Sequence, residues 1–207
     1  MKNNLKNLVL LAWTISGMSC TPTLKLYYGV HDPRHETPAS VSKYAQQRNL
    51  DGAIILIPKD TASYLAIVRS MKANPDLYLF SSTGVNMKYS VRSDCNEPVF
   101  EFAETICTGK YNAIDTAATL SMILNYLKPL TPDDSLRYAE SQRRDVDYTT
   151  LITWAKYIGY LNKDHVRPWL ESLSNQKECK VNCYLLNMDF VTTSWSKEEF
   201  ESVNFND

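Results

Sequence analysis

Ala53-Ile54-Ile55-Leu56-Ile57 is an uninterrupted apolar run, too short for a helix and rich in β-branched residues. A strand of that kind is buried on both faces, which requires a sheet with helices on each side. Reading backwards, Asp51-Gly52 closes a helix over roughly Pro38 to Asn49, with Thr37 or Ser40 as its cap and Val41, Tyr44 and Ala45 on one face. Before it, Leu24 to Val30 reads as a first strand. Reading forwards, Asp60 or Thr61 opens a helix through about Ala73 that turns Tyr64, Leu65, Val68 and Met71 inward, and Asn74-Pro75-Asp76 stops it. Leu77 to Phe80 comes next as a strand, Ser81 to Gly84 as a turn, Met87 to Val91 as an antiparallel strand, and Pro98 to Ile106 as a helix. The expected order is βαβαββα, an α/β fold.

Composition narrows the class further. The chain has 207 residues, 44% hydrophobic, with 22 Lys+Arg against 23 Asp+Glu. Apolar content this high with so little net charge excludes a disordered chain, and the missing basic excess excludes a nucleic-acid binder. No dinucleotide or phosphate loop, nucleophile elbow or zinc-protease motif occurs, and no cofactor is expected.

The N-terminus has the order of an export signal. Lys2 and Lys6 stand without an acid before an apolar run of eight residues, Leu8 to Ile15, and Ser16-Gly17-Met18-Ser19 leads into Cys20. That run falls well short of the ~20 residues that span a bilayer. The placement of Cys20 resembles the lipobox of bacterial lipoproteins, in which the signal is cut before a cysteine that then carries lipid. The alternative is an ordinary signal cut nearby. Cutting before Cys20 removes Lys2 and Lys6, so 20 basic residues face 23 acids and the mature charge is −3. The expected organisation is a signal at 1–19, an anchor and tether at 20–23, a first domain at 24–108, and a helical segment with a second unit at 109–207. The expected location is the cell envelope, facing the periplasm or the cell surface, with the membrane engaged through the lipid.

Past Gly109, Asp115 to Leu127 reads as an amphipathic helix, Pro129 to Asp134 as a loop, and Ser135 to Asp147 as a charged, solvated helix or loop.

Two stretches resemble the thioredoxin family. The βαβαββα order over Leu24 to Ile106 is the thioredoxin order, and Asn74 to Gly84 ("NPDLYLFSSTG") is similar to the segment in which a cis-proline begins the third strand. Pro75 would be that proline, or it simply ends a helix. Tyr148 to Leu173 followed by Val181 to Phe190 looks like the family's strand, active-site turn, helix and strand, with Trp154-Ala155-Lys156-Tyr157-Ile158-Gly159-Tyr160-Leu161 at the turn. Ile158 and Leu161 stand where the family has its two redox cysteines. The whole resembles exported thioredoxin-like lipoproteins of Bacteroides-type bacteria with the CxxC site lost, for which the resemblance implies no substrate.

Thiol–disulfide exchange needs an activated thiolate and a resolving cysteine within reach. Neither turn supplies the pair. Cys95, Cys107, Cys179 and Cys183 could be free thiols or form disulfides, with Cys95–Cys107 and Cys179–Cys183 as the nearest pairings of three connectivities. Cys95, just ahead of the helix near Pro98, is the best-placed thiol for activation. His31, Asp32 and His35 have the residue types of a zinc site, but Pro33 and the missing fourth ligand argue against one, so no metal is expected. Their loop follows the first expected strand, the edge where α/β sheets receive ligands, so His31, Asp32 and His35, with Pro75, mark the candidate ligand or partner site. Trp154, Tyr157, Tyr160 and Trp169 are either core or the wall of a peptide- or partner-binding groove. The expected function is a lipid-anchored binding or scaffold protein without a catalytic residue. A periplasmic thiol–disulfide oxidoreductase using Cys95 or Cys179/Cys183 is the alternative.

Overall fold

A computed structural model describes residues 26–71, 75–88, 102–114 and 118–203. The apolar run at Ala53 becomes β2 (Ile54–Pro58), buried at every position. The elements around it, in chain order, are β1 (His35–Glu36), α1 (Pro38–Gln47), β2, α2 (Thr61–Ser70), β3 (Asp76–Ser81), β4 (Asn86–Lys88) and β5 (Asn112–Ala113). They continue with α3 (Leu120–Leu124), β6 (Leu127–Pro129), α4 (Pro132–Ser141), β7 (Tyr148–Trp154), a 3₁₀ turn (Lys156–Ile158), a π turn (Asn162–Val166), α5 (Arg167–Ser174), β8 (Val181–Asn187), β9 (Phe190–Val191) and α6 (Lys197–Glu201).

Among the described residues, seven strands form one mixed sheet in the order β5-β4-β3-β7-β8-β2-β6. Its centre, β7-β8-β2, is parallel, and β3, β4, β5 and β6 run antiparallel to their neighbours. Strands from 24–108 and from 109–207 therefore interleave. The pleat sends alternate residues to opposite faces. Ile55, Ile57, Leu77, Leu79, Ile152, Trp154 and Leu185 pack under α1, residues 102–106 and α5. Ile54, Leu56, Phe80, Leu151, Tyr184 and Leu186 pack under α2 and α3, with Tyr138 of α4 against them. The result is a three-layer α/β/α arrangement.

Local chemistry explains the helix starts. Thr37 caps α1 by accepting from the Ser40 N–H, and Asp60 caps α2 by accepting from the Ser63 N–H at 2.7 Å. Thr131 and Asp134 form a capping box on α4. The buried Asp134 also accepts the Ile55 N–H at 3.0 Å, which ties α4 to the sheet.

Four expectations are corrected. Leu65 and Val68 do not turn inward: both are exposed, and α2 buries Ser63 and Ile67 instead. Leu24 to Val30 is not a strand: residues 26–28 form a helical turn and Gly29 has φ 63°. The place beside β2 is taken, because β2 has β8 on one side and β6 on the other. The helix expected over Asp115 to Leu127 is five residues long, and Leu127 opens β6. The stretch read as a loop up to Asp134 already belongs to α4, where Pro132 suits the first turn. The antiparallel β3–β4 pairing and the parallel β7–α5–β8 unit are as expected. The thioredoxin-like order of strands in the first half is not what the sheet displays.

Candidate functional site

The parallel strands β7 and β8 end side by side, and the residues just past each strand build a polar knot. Asn187 closes β8, and the Asp189 carboxylate accepts the Lys156 backbone N–H with both oxygens, at 3.0 and 2.9 Å, and the Asn187 Nδ2 at 2.8 Å. Met188 donates its N–H to the Trp154 carbonyl at 2.8 Å. Asp189 is only 2% exposed. Burial pushes its carboxyl up to about 6, against the opposing hydrogen bonds from Asn187 and the Lys156 N–H.

The Lys156 side chain reaches to β1, where its ammonium pairs with the Glu36 carboxylate, and Ser40 Oγ donates to the same oxygen. Burial raises the Glu36 carboxyl, but the hydrogen bonds from Lys156 and Ser40, with the charges of Lys156 and Arg34, outweigh it and hold the group below its usual range. Lys156 Nζ also donates to Ser40 Oγ at 3.5 Å, so lysine, serine and carboxylate close a small polar ring. Burial pushes the Tyr64 phenol far up as well, and its hydroxyl donates to the Met188 carbonyl at 3.4 Å.

The turn after β7 is covered by the chain's own N-terminal segment. Tyr160 donates its N–H to the Tyr28 carbonyl at 2.7 Å, and His31 donates its N–H to the Tyr157 carbonyl at 3.0 Å. Gly159, at φ 60° and ψ −125°, makes this approach possible, since a Cβ there would stand 2.2 Å from the Tyr28 carbonyl oxygen. Tyr44 donates to the Gly159 carbonyl at 3.3 Å, and the fully buried Asn162 donates to Tyr44 and to the Ala155 carbonyl. The π turn thus begins on a residue whose side chain holds the strand end in place.

Of the residues expected at a site, Pro75 comes to this edge. It is buried, and the Asp76–Thr153 register sets it alongside the end of β7. Ile158 is 4% exposed and packs in the core below α2 and α3, and Leu161 packs beside it, so the turn offers neither nucleophile nor base. His31 and His35 part company: His31 is exposed with its ring on the Asp32 carbonyl, whereas His35 bonds the Trp195 carbonyl at 3.0 Å and stacks on Phe200. No group of three His, Cys, Asp or Glu able to hold a metal occurs among the described residues.

The cysteines pair differently from the nearest-neighbour expectation. Cys107 is bonded to Cys179, 72 residues away, and Cys183 is a free thiol. The long pairing arises because β8 and the helix at 102–106 meet on one face of the sheet. Burial pushes the Cys183 thiol up to about 11, opposed by a hydrogen bond with Thr150. Cys20, the expected signal ahead of it, and Cys95 lie outside the described residues.

The opposite end of the parallel strands is open. A cavity of about 300 Å³ lies beside the first residues of β8 and β2, with Arg137, Arg144, Ser141, Asn182, Cys183 and Tyr184 among its walls. Arg137 is held by the Asp51 and Gly52 carbonyls, and Tyr184 by Ser141 and Gln142. Sequence reading marked the segment His31 to Glu36 without giving Glu36 a role, and it missed Lys156, Asp189 and this cavity. Only the Asn187-x-Asp189 spacing carried a local signal, that of a side chain bonding its own backbone two residues on. Compared with known proteins, the chain matches no family model, no curated protein and no solved structure.

Proposed function

We propose that this is a lipid-anchored, exported binding or scaffold protein, α/β in plan with a thioredoxin-like unit in its second half, and without dithiol redox chemistry. The observation that carries the reading is the state of the cysteines. Cys179 is bound to Cys107 and so is withheld from Cys183, whose thiol is buried and held protonated at neutral pH. A thiol in that state is neither a nucleophile nor a resolving partner. Disulfides persist in oxidising compartments, which supports export together with the signal-like order ahead of Cys20. The thioredoxin-like reading is supported by the parallel β7–α5–β8 unit and by Pro75 beside the end of β7. No helix of the described residues is long and apolar enough to cross a membrane; the lipid on Cys20 is supported by the signal-like order ahead of it. The open cavity with Arg137 and Arg144 among its walls supports a binding role.

The test is mass spectrometry of the mature protein extracted from membranes and alkylated with and without reductant. The expected result is an acylated peptide beginning at Cys20, a Cys107–Cys179 linked peptide, and no thiol that reacts rapidly at neutral pH. Rapid mixed-disulfide formation at Cys95 would overturn the non-redox reading, and an unmodified N-terminal peptide would overturn the anchor.

A further inference from the structure

The two most exposed large apolar side chains among the described residues are neighbours, Leu26 at 84% and Tyr27 at 73%. They share one helical turn with Tyr28, whose ring meets that of Tyr27 edge-on at 5.0 Å. Next to them, Tyr160 is half exposed, its N–H is held by the Tyr28 carbonyl, and the Arg48 guanidinium lies over its ring at 5.6 Å. One leucine, three tyrosines and an arginine thus form a rim around the turn after β7. Side chains with an apolar body and a polar tip are those that settle at the boundary between lipid headgroups and acyl chains.

The length of chain ahead of the rim decides what covers it. Five residues separate Cys20 from Leu26, and a fully extended chain advances at most ~3.5 Å per residue, so the rim stands within about 20 Å of the acylated cysteine. A mature charge of −3 offers no attraction to anionic headgroups, which leaves apolar and aromatic contact as the means of holding the surface.

We propose that the rim of Leu26, Tyr27, Tyr28, Tyr160 and Arg48 rests in the interfacial layer of the membrane that holds the Cys20 lipid. The inference rests on the anchored reading above. It fixes the orientation of the sheet. The rim lies at the C-terminal end of β7 and the Arg137/Arg144 cavity at the N-terminal ends of β8 and β2, so the cavity faces away from the membrane.

The test places a tryptophan at each end of the full-length acylated protein, Tyr27→Trp at the rim and Leu136→Trp beside the cavity, where Leu136 is 69% exposed. Both are read in vesicles of phosphatidylethanolamine and phosphatidylglycerol with bromine on the upper acyl chain. Trp154, Trp169 and Trp195 are buried and give a constant background. Insertion by ~5–10 Å should cost Tyr27→Trp about half its added emission and shift it to the blue, with Leu136→Trp unchanged. Equal, unquenched emission from both variants on a protein whose N-terminal peptide carries acyl mass overturns the orientation while leaving the anchor intact. Absence of acyl mass overturns both. Shielding of Tyr27→Trp from an aqueous quencher without quenching by bromolipid, growing with protein density, assigns the rim to a second copy and also overturns the proposal.

Discussion

The two ends of the parallel strands are built on opposite plans. Where β7 and β8 finish, the edge at which α/β sheets usually receive ligands, the space is filled by the chain itself: Asp189 under the Lys156 N–H, Glu36 on the Lys156 ammonium, and Tyr28 to His31 laid over the turn. Where β8 and β2 begin, the space is an open cavity, and the nearby staple is covalent, Cys107 to Cys179. One end is closed by polar groups and a glycine, the other is left open and pinned by a disulfide. Position relative to the strands does not by itself decide where a fold is available to partners. What matters is which end its own connections cover.

Removing the covalent staple should produce the largest effect. Closing a loop of this separation restricts the unfolded chain by about 4 kcal/mol in the chain-entropy treatment, so the paired change Cys107→Ala/Cys179→Ala should lower the urea-unfolding free energy by that order. A midpoint that ignores both the substitutions and added reductant would show that the open end does not depend on its disulfide. At the closed end, Gly159→Ala drives a Cβ into the Tyr28 and Gly29 carbonyls at a φ that side chains rarely adopt. The expected loss is about 3 kcal/mol, and protection of the Tyr160 and His31 amides in hydrogen exchange should fall with it. Loss of stability with those amides still protected would mean that the N-terminal segment holds the turn by other contacts.

The sequence carried the layers better than it carried this contrast. Ala53 to Ile57 reads as a doubly buried strand because all its side chains are apolar, and Thr37 and Asp60 announce helices because capping is a local interaction. Leu24 to Val30 reads as a strand for the same local reasons, yet a strand also needs an unoccupied neighbour, and that is a property of the whole sheet. Leu127 was absorbed into a helix because an apolar residue after Leu120, Ile123 and Leu124 continues the 3.6 spacing as well as it begins a strand. The polar knot joins Glu36 to Lys156 across 120 positions and the disulfide joins 107 to 179. Nothing in either neighbourhood specifies its partner. Pro75 stands directly ahead of β3, a placement that follows locally because proline constrains its own backbone, whichever fold surrounds it.

The knot should also impose a pH dependence of definite sign. Asp189 has a folded-state value near 6 against an ordinary 3.8, so the native protein holds that proton more tightly than the unfolded chain. Its contribution is complete below 3.8 and is lost as pH rises toward 6. Glu36 acts the other way: held below its ordinary 4.5, it contributes above that value, and the contribution fades on acidification. Stability should therefore pass through a maximum between the two windows, and Asp189→Asn should flatten the alkaline side of it, by at most about 3 kcal/mol. A curve that keeps its fall between pH 4 and 6 in the Asp189→Asn variant would place the titrating group elsewhere. Since Asp189 ties the ends of β7 and β8, that outcome would also separate the electrostatics of the closed end from its geometry.

The smallest effect on stability belongs to the open end, at Cys183. Its thiol packs on the face shared with Cys107 and Cys179 and touches the cavity, but it completes no disulfide, so Cys183→Ala should cost only about 1 kcal/mol, the loss of one small side chain and its weak hydrogen bond with Thr150. Its chemistry should be as quiet as its energetics. A thiol pushed from an ordinary 9.0 up to about 11 has on the order of 100-fold less thiolate at neutral pH, and alkylation should slow in proportion. If Cys183 instead labels as fast as a small-molecule thiol while the fold remains intact, the cavity admits reagent and water to the sulfur far more freely than its burial implies. The open end would then hold a usable nucleophile, and the division of the molecule into a sealed polar end and a chemically inert open one would fail at its weaker half.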